Sequence, residues 1–211
     1  IDFAPYYPSY NAAAAFIASP IYSDNGQKLG VLIFQMPIDK INALMTFDKN
    51  WQDVGLGDSG ETYLIGDDYL MRSQSRFLME DKQGYISALK QTGLDNQIVD
   101  KINATESAIG LQPVTSEGAK AAISGSADIK SIKDYRNVDV LSAYAPLAIK
   151  DVNWAILSEM DVVEAMKDKE AMLSSIWFIL LIILVVLIPT AFVTAYFVGR
   201  GISTPINSFI D

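Results

Sequence analysis

The chain has 211 residues, no cysteine and no histidine, and 25 acidic against 16 basic side chains, for a formal net charge of −9. Those absences exclude a disulfide framework, a zinc site of the usual ligands, a thiol nucleophile and a histidine-containing triad. The acidity opposes binding to nucleic acid or to anionic lipid head groups.

The first readable element is a hairpin. Phe16 to Tyr22 and Gly30 to Asp39 are apolar runs joined through Ser23-Asp-Asn-Gly26, and Asn-Gly is a strong turn signal. Asp39 is placed to cap a helix over Ile41 to Trp51. A second stretch repeats this plan: Val140 to Ile149 with Pro146 near its end, a turn at Lys150-Asp151, an apolar run from Trp154, then Asp161 as the cap of a following helix. The repeat predicts that residues 1–40 close one module and that the next stretch is a second, complete module of the same kind. The chain begins at Ile1 without a signal peptide, so it reads as a fragment of a longer protein.

Between the two hairpins, Gly55 to Gly60 is a glycine-rich loop, Glu61 to Ile65 a strand, Gly66 to Tyr69 a turn, and Leu70 to Ser75 a second strand. Asp81 to Lys101 carries two short helical patterns around Gly93, and Ala119 to Ile123 a third. Strands at Ser131 to Tyr135, Asp139 to Ala148 and Trp154 to Glu159 complete an antiparallel sheet of about five strands with flanking helices, an α+β fold. Asp161 to Ser175 holds no glycine or proline and predicts an unbroken helix running toward the last feature.

That feature is Ile176 to Val198, 23 residues without a charge. At roughly 1.5 Å per residue it covers about 34 Å, enough to cross a hydrocarbon core of about 30 Å. Trp177 near one end and Tyr196 and Phe197 near the other fit interfacial aromatic belts. Arg200 on one side faces Lys167 and Lys169 on the other, so the flanking charges do not fix the orientation.

The densest polar pattern is Gly57-Asp-Ser-Gly-Glu-Thr-Tyr-Leu-Ile-Gly66 followed by Met71-Arg-Ser-Gln-Ser-Arg76. Strand alternation places Arg72, Gln74 and Arg76 on one face. Two guanidinium groups there suit a carboxylate-bearing small molecule, with Tyr63, Tyr135 and Tyr144 offering hydroxyls to the same hollow. The alternative is that both arginines pair with the module's own acids, such as Glu61 or Glu159, and hold the sheet together. The glycines lack the lysine and the following helix of a phosphate-binding loop. No residue set points to catalysis, a metal or a cofactor.

Taken together, Trp51 to Gly57, the strand Gly60 to Gly66, the segment Met71 to Arg76 and the hairpin Tyr144-Ala-Pro-Leu with Trp154-Ala-Ile-Leu resemble a Cache sensor domain, and more narrowly the membrane-proximal half of a double Cache, the PAS-like extracytoplasmic module of bacterial receptors. Gly199-Arg-Gly-Ile-Ser-Thr-Pro-Ile206 is similar to the opening of a HAMP linker. The resemblance implies the following organisation: residues 1–40 the closing hairpin of a membrane-distal module, 41–163 the membrane-proximal module, 164–175 a juxtamembrane helix, 176–198 a single transmembrane helix in the inner membrane, and 199–211 the start of the linker. It implies a receptor that binds small molecules outside the cell and passes a helix shift to a cytoplasmic output domain of chemotaxis, histidine kinase or nucleotide cyclase type. It also implies a parallel homodimer in the lipid bilayer, with ligand held mainly by the distal module. The rival readings are an exported enzyme on a membrane anchor and a structural or adhesive ectodomain.

Overall fold

A computed structural model describes residues 1–9 and 12–207, without the side chains of 168–172, 199 and 201–207. The chain divides into two units, Ile1–Ala165 and the part from Met166 onward.

The first unit is built on a four-stranded antiparallel sheet. Its strands are β5 (Glu61–Ile65), β6 (Asp128–Lys133), β7 (Asp139–Leu147) and β8 (Trp154–Asp161), in the order β5-β8-β7-β6. Ahead of it come β1 (Ala4–Tyr6) paired with β2 (Ala12–Ala14), and β3 (Phe16–Tyr22) paired with β4 (Lys28–Gln35). Helices α2 (Arg76–Glu80), α3 (Lys82–Gln91), α4 (Asn96–Thr105) and α5 (Glu117–Ile123) supply the rest of the core. The α+β class and the antiparallel sheet with flanking helices agree with the sequence expectation.

Period-two alternation decides which residues meet. Tyr63 and Ile65 of β5, Ala155 and Leu157 of β8 and Tyr144 of β7 join Ile86, Leu89, Val99, Ile102, Ala119 and Ala122 of the helices in one buried cluster. Leu64 and Trp154 face the opposite way. They pack with Phe3, Ala15 and Ile109, so the N-terminal residues cover the second face of the sheet. Phe3 stacks on Trp154 with ring centroids 5.8 Å apart.

Four expectations are corrected. Leu70 to Ser75 is no strand, and the sheet has four strands where about five were expected. Met71 makes one bridge to Ile65, and then Ser73 Oγ, in place of a backbone carbonyl, accepts the Leu64 amide at 2.9 Å. A side chain thus ends the ladder that a strand would have continued. The helix expected over Ile41 to Trp51 is α1 (Ile38–Met45), preceded by Pro37 and not capped by Asp39. Thr46 still closes the helix, its backbone N–H and hydroxyl both donating to the Asn42 carbonyl at 2.8 and 2.7 Å, and the helix stops because Phe47, Asp48 and Lys49 then turn left-handed. Asp161 closes β8 and its carboxylate pairs with Arg136 at 2.8 Å, so it is no cap either. The helix expected to run unbroken from there is divided: α6 (Val162–Ala165) is one turn held by Glu164, and α7 (Lys167–Asn207) starts afresh after Met166.

The second unit is α7. Leu173–Val198 within it is 26 residues of mean hydropathy 3.0 with no part buried, long and apolar enough to cross a membrane. Thr190 and Thr194 donate their hydroxyls to the Val186 and Thr190 carbonyls at 2.9 Å, which leaves the polar groups satisfied without solvent. The helix continues through most of the segment that resembles a HAMP opening; Ser208 to Asp211 lie outside the described residues.

Candidate functional site

The structure distributes the six candidate residues over different tasks. Arg72 is 2% exposed and reaches back to the N-terminus: Nε and Nη2 donate to the two carboxylate oxygens of Asp2 at 3.0 and 2.9 Å, Nη2 also meets Asp68 at 2.9 Å, and Nη1 donates to the Leu70 carbonyl at 3.0 Å. Asp2 also accepts the indole N–H of Trp154 at 3.0 Å. Burial pushes the Asp2 carboxyl up, but the Arg72 guanidinium, the Phe3 amide and the indole outweigh it and hold the group below the usual aspartate value. Gln74 spans two strands of loop, donating to the Glu106 carbonyl and accepting the Ala108 amide, both at 2.8 Å. Arg76 opens α2, donates to the Gly60 and Gly57 carbonyls at 2.6 and 2.9 Å, pairs with Glu80 at 3.0 Å and lies over the Trp51 ring at 4.7 Å.

The two arginines therefore do not share a sheet face. Both are taken up by the chain's own acceptors, although the acids involved are Asp2, Asp68 and Glu80 and not the Glu61 and Glu159 carboxylates named from sequence. Tyr135 borders a hollow of about 540 Å³ between Gly93, Gln112, Glu117 and Lys133. Arg76 borders a separate one of about 480 Å³ with Trp51, Asp58 and Glu80. Neither hollow gathers the other four candidates. Tyr63 and Tyr144 lie in the core.

What the fold does bring together is a pair of buried carboxylates. Glu61 on β5 is directly opposite Glu159 on β8, Glu159 is opposite Ser142 on β7, and Ser142 is opposite Lys130 on β6. Opposed residues share a face, so this is one polar row crossing the core side of the sheet. Glu61 accepts from Ser75 Oγ at 2.7 Å, from the Arg76 amide at 2.7 Å and from Tyr135 Oη at 2.8 Å. Glu159 accepts from Tyr63 Oη and Ser142 Oγ, both at 2.8 Å. The rings of Tyr63 and Tyr135 meet edge to face at 5.7 Å. Lys130 does not neutralise the row, since it pairs with Glu117 at 3.2 Å.

The electrostatics follow from burial, with no cation among the described residues in contact with either carboxylate. Desolvation pushes Glu61 up despite its hydrogen bonds, and pushes Glu159 up to about 7, with Asp134 and Glu61 adding to the rise. Tyr63 and Tyr135 are raised well above the ordinary phenol, first by burial and then by the adjacent carboxylates. Sequence reasoning had placed Tyr63 and Tyr135 among hydroxyls for a ligand. The missed signal was in the same alternation that singled out the arginines: Glu61 and Tyr63 are two apart on one strand, as are Leu157 and Glu159 on another, so both acids had to point inward.

A second carboxylate site lies at the end of the sheet. Glu164 on α6 accepts the Asp58 and Ser59 amides, each at 2.7 Å, and the Ser59 hydroxyl. Those bonds, the Ser59 hydroxyl first, hold Glu164 below the usual glutamate value. The Asp161 amide donates to Ser59 Oγ at 3.1 Å. The loop that contributes these donors is the same one whose carbonyls hold Arg76.

No protein-family model matches the sequence, and no curated protein matches it. Among solved structures, the chain is similar to the periplasmic sensory domain of the Campylobacter jejuni chemoreceptor Tlp1, at 17% identity and a TM-score of 0.45 over 71% of this chain and 44% of that one. It is similar to the ligand-binding domain of the Pseudomonas aeruginosa amino acid chemoreceptor PctC in complex with GABA, at 13% identity and a TM-score of 0.41 over 72% and 51%. It is also similar to the extracellular domain of the putative histidine kinase mmHK1S-Z3, at 12% identity and a TM-score of 0.46 over 81% and 51%. The chain spans about half the length of these domains.

Proposed function

We propose that the chain is part of a bacterial transmembrane receptor: a double Cache sensor, a membrane-spanning helix and the beginning of a HAMP linker that leads to an output domain of chemotaxis, histidine kinase or nucleotide cyclase type. The observation that carries this reading is the order of elements. The last strand of the sheet ends at Asp161, one turn of helix is tied to the sheet-side loop by Glu164, and the apolar helix begins at Lys167. A sensor needs such a short path between its folded part and its span.

The truncated distal module is supported by comparing the two hairpins. β7–β8 has β6 on one edge, β5 on the other and helices across one face, and Val140, Ser142, Ala155 and Leu157 are fully buried. β3–β4 has the same plan with no buried residue, leaving Ile17, Leu29, Ile33 and Phe34 more than half exposed. Apolar side chains on both faces of a two-stranded sheet call for further strands and helices. Residues 1–40 are in this reading the end of that module, 41–163 the proximal one, 164–175 the juxtamembrane segment and 199–211 the linker start. Arg72, Gln74, Arg76, Tyr63, Tyr135 and Tyr144 serve as the frame of the proximal module, and small-molecule ligand binds in the distal one. The receptor acts as a parallel homodimer in the inner membrane, with residues 1–175 outside, and this part of it performs no catalysis.

A chimera tests the reading. The chain is preceded by its natural upstream residues and joined after Asp211 to the kinase portion of a receptor with a transcriptional reporter, then exposed to a panel of amino acids and small carboxylates. Reporter output that shifts with at least one compound supports the reading. A membrane-inserted chimera that responds to none, with its kinase portion active, contradicts it.

A further inference from the structure

We propose that Glu61 and Glu159 form a shared proton-binding site inside the proximal module, and that its occupancy is passed through Arg76 to the loop that holds Glu164.

The proton count supports the site. Ser75 Oγ, Tyr135 Oη and the Glu61 carboxylate touch one another in a closed ring, with contacts of 2.7 Å from Ser75 to Glu61, 2.8 Å from Tyr135 to Glu61 and 3.0 Å between the two hydroxyls. Two hydroxyl protons cannot fill three contacts if Glu61 is charged. A neutral Glu61 supplies the third: its acid proton goes to Tyr135, the Tyr135 proton to Ser75 and the Ser75 proton back to the other carboxylate oxygen. Glu159, directly across the strand pair, has two hydroxyl donors and, among the described residues, no cation in contact. Two carboxylates side by side in a dry site hold at least one proton between them until the pH rises well above the ordinary carboxylate range.

The groups that face the pair do not remove this need. Tyr63, Tyr85 and Tyr135 are buried phenols. Arg136 is the cation that acts on Glu61, but it is bound to Asp134 and Asp161 and stacked over Phe77 at 3.8 Å. Arg76 presents its backbone amide to Glu61, while its guanidinium is turned toward Gly57, Gly60 and Glu80.

The same geometry gives a path outward. Losing the proton charges both acids, and two anions directly opposite across β5 and β8 repel, which disturbs Ser75, the residue that precedes α2, through its bond to Glu61. Arg76 follows Ser75, and its guanidinium holds the Gly57 and Gly60 carbonyls on either side of the two amides that bind Glu164. Acid therefore tightens the hold on α6 and alkali relaxes it. Calling this a response to acidity outside the cell rests on the receptor reading; the proton site itself does not.

The test is residue-resolved hydrogen exchange at the Asp58 and Ser59 amides in the full chain in lipid nanodiscs, from about pH 5.5 to about pH 8.5 and corrected for the intrinsic pH dependence of exchange. Wild-type protection falls at least roughly threefold across a window centred on about pH 7. In E159Q and E61Q, whose amides stay uncharged, protection is flat. PH-independent protection in the wild type overturns the proposal, and so does a fall that survives in E159Q, whether or not E61Q folds. Because the readout is the loop alone, a protein of unexpected membrane orientation leaves this result interpretable.

Discussion

Glu159 is a carboxylic acid whose chemistry departs from that of a free side chain. Its carboxyl is raised from 4.5 to about 7, so in the folded state it keeps a proton that the unfolded chain has already released. A raised carboxyl contributes stability that is fully present below the unfolded value and lost as the pH climbs through the folded one. The melting temperature should accordingly fall between about pH 5 and about pH 7.5, with a loss of about 3 kcal/mol from this group. E159Q should flatten the profile, and a wild-type curve that rises over the same range would refute the assignment. Arg72 gives a second prediction. Removing its guanidinium leaves Asp2 partly buried beside Trp154 with no cation, so R72A should cost about 3 kcal/mol in a denaturant titration. D2A should cost less, and the double variant less than the sum of the two. Equal and additive losses would mean that the pair does not act as a unit. The importance of Arg72 was legible in the sequence. Its partner was not, because 70 positions separate it from Asp2 and no local spacing links them.

At the level of elements, composition and periodicity located β5, β7, β8 and the α3, α4 and α5 helices to within a few residues. They misread Leu70 to Ser75, where alternation is present but Ser73 satisfies the strand edge with its hydroxyl. Such a substitution of side chain for backbone has no periodic signature. Nothing local in the sequence marks Glu164, since its partners Asp58 and Ser59 lie more than 100 residues upstream. That clasp explains a glycine. Gly57 has φ of +55°, and a Cβ there would come within 2.2 Å of the Glu164 carboxylate. Gly55, at φ of +81°, has open space around it. Both G55A and G57A meet backbone strain of about 1 kcal/mol, but G57A should lose roughly 1–2 kcal/mol more and release the α6 turn to faster hydrogen exchange. Equal losses in the two variants would show that the Glu164 clasp contributes nothing to stability.

At the scale of the whole molecule, the sequence indicated an acidic mixed module followed by a span, and the structure has a mixed module followed by a helix long and apolar enough to cross a membrane. The hairpin β3–β4 holds no buried residue, and in the proposed reading further strands and helices of its own module cover it. The central claim is that Leu173–Val198 crosses a bilayer with the sheet module outside. The absence of native cysteine makes this directly measurable, since a single introduced thiol has no background. In spheroplasts bearing N25C or S208C, a membrane-impermeant maleimide should label N25C at once and S208C only after lysis. Labelling of both sites in intact spheroplasts, or of S208C alone, would contradict the account.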